Sequence, residues 1–163
     1  MATATGLSPE ERTTALGMYH FAESYRHGAN RIRLSKAKPL MFDAPIRFLY
    51  YHSIELYLKS VLRALGLSPV EIKSTYGHQF CKLQAACERN GLDFDDEDIA
   101  VIGLVDGSNY WGSRYIETGY VRHATLPALA RTSHSLSQNA FAFLRSRRIL
   151  VRKPVITPSR LRK

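Results

Sequence analysis

Tyr50-Tyr51-His52-Ser53-Ile54-Glu55-Leu56-Tyr57-Leu58-Lys59-Ser60-Val61-Leu62, closed at Gly66, is the stretch on which the fold turns. It opens at Asp43-Ala44-Pro45, where a proline suits the first helical turn, and Gly66 is a suitable residue just past its end. With Leu49 at zero and about 100° per residue, Ile54, Leu58, Val61, Leu62 and Leu65 fall between about 120° and 220°. His52, Glu55, Lys59 and Arg63 fall on another face, between about 240° and 320°. An amphipathic helix follows, with one flank loaded with titratable groups.

Outward from that helix the punctuation stays helical. Ser8-Pro9-Glu10-Glu11 reads as a capping box, starting a helix through Leu16, Tyr19, Phe21, Ala22 and Tyr25 that ends near Ile32 or Leu34. Ser68-Pro69 opens a short helix to about Ser74. Gly77-His78 starts the next, with Phe80, Leu83, Ala86 and Cys87 inward and Asn90-Gly91 closing it. The acidic run Asp93 to Asp98 suits a helix N-terminus, and its helix carries Ile99, Ile102 and Val105. Residues 106–123 read as irregular, and Thr125-x-Pro127 begins a last helix through Leu129, Leu136, Ala140 and Leu144. The expectation is an all-α antiparallel bundle of five or six helices, with a domain over residues 8–148 and a basic tail over 149–163.

Composition narrows the classes. A chain of 163 residues with 45% apolar residues has enough material for one core. The net charge is +9, but residues 145–163 hold eight basic residues and no acid, so the rest is close to neutral. Such a tail either attracts polyanions or serves as a solvated terminus. No apolar run is long enough to span a bilayer, and no signal segment is visible. Cys81 and Cys87 would lie about 120° apart on one helix, too far around to bond. A reduced, cytoplasmic protein is expected. The six histidines share no ligand spacing and no Gly-rich phosphate loop occurs, so neither a metal centre nor a cofactor is expected.

Two local patterns stand together: the His52-x-Ile54-Glu55-Leu56-x-Leu58-Lys59-x-x-Leu62 string, and Gly77-His78-Gln79-Phe80-x-x-Leu83 after a short connection. With the later pair Arg114-Tyr115, they make the chain similar to HEPN-domain proteins (higher eukaryotes and prokaryotes nucleotide-binding) over roughly Tyr19 to Leu144. The resemblance implies a compact antiparallel helical bundle, commonly homodimeric. Family members include RNA-cleaving toxins, nucleic-acid defence components and partners of small nucleotidyltransferases. The cleaving members resemble one another in an Arg, four to six residues, His motif near the start of a late helix.

That motif is not found in the late helix. Arg114 and His123 are separated by eight residues, Arg131 and His134 by two, and Arg122 and His123 are adjacent. Arg47-x4-His52 has the right count, but on a helix its two side chains diverge by about 140°. Catalysis is therefore open, with Arg114, Arg122, His123, Arg131 and His134 as the candidate set. The candidate binding residues are His52, Glu55, Lys59, His78, Trp111, Arg114 and Tyr115. His52, Glu55 and Lys59 read either as an anion or proton site or as a buried network tying helices together. His78 reads as a helix-capping residue or a site residue. Trp111 and Tyr115 read as base-stacking residues or as the lining of a dimer contact. The expected function is interaction with RNA, a nucleotide or a partner protein without catalysis. The alternatives are a metal-independent endoribonuclease of toxin or defence type, and a dimerisation module or antitoxin-type partner.

Overall fold

The computed structural model describes residues 12–36, 43–108 and 122–151. Among these are six helices and no strand: α1 (Ala15–Arg33), α2 (Asp43–Ala64), α3 (Pro69–Thr75), α4 (Phe80–Arg89), α5 (Asp96–Asp106) and α6 (Leu126–Ser146). The capping box at Ser8–Glu11, the aromatic segment with Trp111, Arg114 and Tyr115, and residues 152–163 lie outside the described residues.

Local chemistry sets the helix ends. Helix α1 starts later than expected: Arg12 and Thr13 are not helical, and the Thr14 hydroxyl accepts from the Gly17 amide at 3.0 Å. A threonine placed there satisfies a first-turn donor that would otherwise lack a partner. Ser68 and Glu71 form a reciprocal capping box with Pro69 in the first turn of α3, and Thr125 caps α6. Helix α4 begins one step beyond the expected point. Its cap position falls on Gln79, which makes no side-chain cap bond, and the Phe80 amide is taken instead by Asp106 at 2.6 Å. His78 is thereby left for another partner.

Cross-helix bonds fix the directions. Tyr50 donates to Asn30 Oδ1 at 2.6 Å and Arg63 Nε to the Thr13 carbonyl at 3.0 Å, so α1 and α2 are antiparallel. Ser53 and Ser133 hydroxyls meet at 2.7 Å, and Ser137 lies level with Glu23, so α6 runs alongside α2 and against α1. Ser135 and Asn139 on α6 reach Asp98 and the Asp93 carbonyl, which sets α5 antiparallel to α6.

Helix α2 is the axis of the bundle. Eleven of its 22 residues are buried, including Tyr50, Tyr51, Glu55, Tyr57 and Leu58, and they point well outside the single apolar stripe. Neighbours on three sides cover a helix that an amphipathic pattern would leave half in water. On α5 the core takes Val101, Ile102 and Val105, while Ile99 is 39% exposed. Ile149 is half-buried and Val151 is 6% exposed, so packing continues past residue 148. No helix among the described residues is long and apolar enough to cross a membrane.

Candidate functional site

Glu55 is at the centre of the polar face foreseen on α2. Its side chain is 1% exposed, and it gathers three basic groups. Lys59, one turn on, places Nζ 2.5 Å from Oε1, and His78 places Nδ1 2.7 Å from the same oxygen. His52, one turn back, holds Nδ1 3.6 Å from Oε2, at ion-pair rather than hydrogen-bond range. Burial alone would raise the Glu55 pKa. The His52 imidazole, the Lys59 ammonium and His78 outweigh it and hold the carboxyl at about 2. An ionised carboxylate only accepts, so His78 donates through Nδ1 and its Nε2 is directed away from Glu55. The basic groups are far more accessible than the acid: 29% for His52, 14% for Lys59 and 41% for His78. A buried anion therefore orients three surface-reaching groups.

The cluster adjoins a groove on the α1–α2 face. His20, Phe21, Ser24, Tyr25 and Leu49 line a space of about 350 Å³, and Phe21 is 63% exposed. Tyr25 links the two features, its ring meeting the His52 ring edge-on at 4.4 Å between centroids. Phe48 lies nearly parallel to His52 on another side, at 6.2 Å. Tyr25 thus borders both the groove and the His52 imidazole.

Among the described residues, the late-chain candidates Arg122, His123, Arg131 and His134 do not assemble. Arg131 is enclosed by carboxylates, with Nη1 2.9 Å from Asp95, Nε 3.0 Å from Glu97 and Nη2 3.0 Å from Asp98. His134 is exposed, and its electrostatic neighbours are Arg26 and Glu23 on α1 rather than anything on α5. His123 is 3.4 Å from the Tyr51 hydroxyl, and burial with the nearby Arg47 charge lowers its pKa. Arg122 is exposed. Arg47 donates to the Ala124 carbonyl at the head of α6, while His52 turns to Glu55, so the one pair with the family count points two ways.

A second, half-buried carboxylate cluster was not legible beforehand. Glu23 on α1 accepts from Arg26 at 3.0 Å, from Ser137 on α6 at 2.5 Å and from the Tyr57 hydroxyl on α2. Arg26 is only 2% exposed, and its Nε also reaches Tyr57 at 3.2 Å. Burial pushes the Glu23 pKa up, but Arg26, Ser137 and Tyr57 together bring it below the ordinary value. The spacing of Glu23 to Arg26 (i,i+3) was a signal that could have suggested a pair. Nothing local in sequence brings Tyr57 and Ser137 to it. Among the described residues no group of acidic, histidine or cysteine side chains is arranged to hold a metal ion. Comparisons of the chain with protein-family models, curated proteins and solved structures find no match.

Proposed function

We propose that this chain is a HEPN-like helical module that binds the phosphate of a nucleotide or RNA on the His52–Glu55–Lys59–His78 face, without cleaving it. The observation that carries the reading is the buried, ionised Glu55 with three basic groups reaching the surface from it, beside an aromatic groove. A phosphate oxygen suits Lys59 and His78 as donors, and a base has Phe21 and Tyr25 to stack on. The dispersal of Arg131, His123 and His134 supports binding without catalysis, because acid, base and phosphate stabiliser have to meet within hydrogen-bond reach of one another's substrate atoms. The reading includes a homodimer in the cytoplasm, with a nucleotidyltransferase or antitoxin as the associated protein. A second reading, a dimerisation module or antitoxin-type partner, is favoured by Phe21, an exposed aromatic beside an apolar groove.

Equilibrium binding of uridine monophosphate and of a single-stranded oligouridylate, with product analysis of the RNA, separates the readings. Binding of both without cleavage, weakened about tenfold by Lys59→Met or His78→Gln (roughly one charge-assisted hydrogen bond), is the expected result. Metal-independent cleavage would establish the ribonuclease instead. Retention of neither ligand would leave the scaffold reading.

A further inference from the structure

Helices α2, α4 and α6 close in one pattern, in which an amide that follows a left-handed residue bonds back five residues. Leu67 bonds to Leu62, Leu92 to Cys87 and Ile149 to Leu144. At each of these three ends a left-handed residue stands just before the bonding amide, and glycine suits it because it has no Cβ to clash. The first two ends have Gly66 at φ +100° and Gly91 at φ +90°. The third, at the end of α6, has Arg148 at φ +61°, the one non-glycine residue with positive φ among the described residues. The chain thus places a guanidinium where an L side chain is disfavoured.

Its surroundings share one charge. Arg145, Arg147 and Arg148 are all exposed, and no described acid forms an ion pair with them. Arg145 lies over the Phe141 ring at 5.9 Å and Arg147 over Phe143 at 5.2 Å, so two of the three forks are held by ring faces. The sequence beyond continues with five more basic residues and no acid.

We propose that the C-terminal end of α6 is a second, sequence-independent docking surface for a nucleic-acid backbone, separate from the Glu55 face. Arginine, which outnumbers lysine six to two over residues 145–163, matches phosphate oxygens in a bidentate fork. Pro154 and Pro158 interrupt the amphipathic helix that a lipid surface would favour.

The test measures affinity of the full chain for a single-stranded oligouridylate across a salt series. Replacing Arg145, Arg147 and Arg148 together by Gln is expected to reduce the slope of log K against log salt by about 2, the release of counterions from three phosphate contacts on a single strand. Uridine monophosphate binding is expected to stay unchanged, which separates this surface from the Glu55 face. Arg148→Gly alone is expected to raise the thermal midpoint by about 2–4 °C while weakening oligonucleotide binding. An unchanged salt slope in the triple variant would overturn the proposal. So would wild-type binding to phosphatidylserine vesicles in preference to the oligonucleotide.

Discussion

Glu55 and Glu23 are carboxylates on adjacent antiparallel helices, both drawn into the interior, yet their surroundings differ. Every partner of Glu55 reaches solvent to some degree. The principal partners of Glu23 do not: Arg26 is 2% exposed, and Tyr57 and Ser137 are fully buried. Glu23 therefore acts as a lock joining α1, α2 and α6, whereas Glu55 acts as a buried anchor for groups that address the outside. A buried polar network is informative about function according to where its other ends lie.

Removing each anchor should expose the contrast. Glu23→Ala leaves the Arg26 guanidinium buried without its counter-charge, and a loss of about 3–5 kcal/mol is expected in a urea melt. Replacing both partners, Glu23→Leu with Arg26→Met, should recover much of that loss, because two buried charges and their desolvation vanish together. A Glu23→Ala protein as stable as the wild type would break the comparison.

Glu55→Ala should cost less, about 1–3 kcal/mol. Lys59 and His78 can turn to water, as Arg26 cannot. An unchanged urea midpoint would show that the face contributes nothing to folding and serves ligand alone.

Acid titration sharpens the difference further. His27, His123 and His134 have pKa values below the ordinary 6.5, chiefly from burial, with the Arg26 charge adding for His27 and His134 and Arg47 for His123. The unfolded chain takes up those protons first, so their contribution is full above about pH 6.5 and declines as pH falls below it. Glu55 acts in a lower window. Its folded pKa of about 2 is below the ordinary 4.5, so its contribution is present above about pH 4.5 and is lost as pH falls towards 2. Glu55→Gln should flatten the stability curve in that lower window and leave the contributions of His27, His123 and His134 alone. Equal flattening in both windows would contradict the assignment.

The legible part of the molecule was the part encoded by local spacing. His52, Glu55 and Lys59 are on consecutive turns, and the sequence pattern had already placed them on one flank of α2. Proline and hydroxyl residues marked α3 and α6 within a residue or two. What escaped depended on neighbours distant in the chain. The site of α1's start was decided by Thr14 competing successfully for the first-turn amides. His78 was expected to cap its helix, but a carboxylate 23 residues away made a stronger partner than backbone amides. The Glu23 lock needed Ser137, 114 residues on, and no periodicity carries that information. The α1–α2 groove likewise depends on how two helices cross, which sequence spacing leaves open.

The last contrast, which ends in the smallest expected effect, concerns where the folded unit stops. Val151 is 6% exposed and joins the core with half-buried Ile149, although the charge pattern alone put the boundary at residue 148. Truncation after Arg148 removes both apolar side chains. Burying a valine fully is worth about 1.5–3 kcal/mol, so the thermal midpoint should fall by about 3–12 °C at the 2–4 °C per kcal/mol typical of this size. Truncation after Val151 keeps them and discards only a segment with two prolines and five basic residues. A run of like charge broken by two prolines adds little to folding, so the midpoint should move by less than about 2 °C. Equal midpoints for the two truncations would return the boundary to residue 148. A large loss from the second would show that the basic segment itself packs on the bundle, which would leave fewer of its charges for a polyanion.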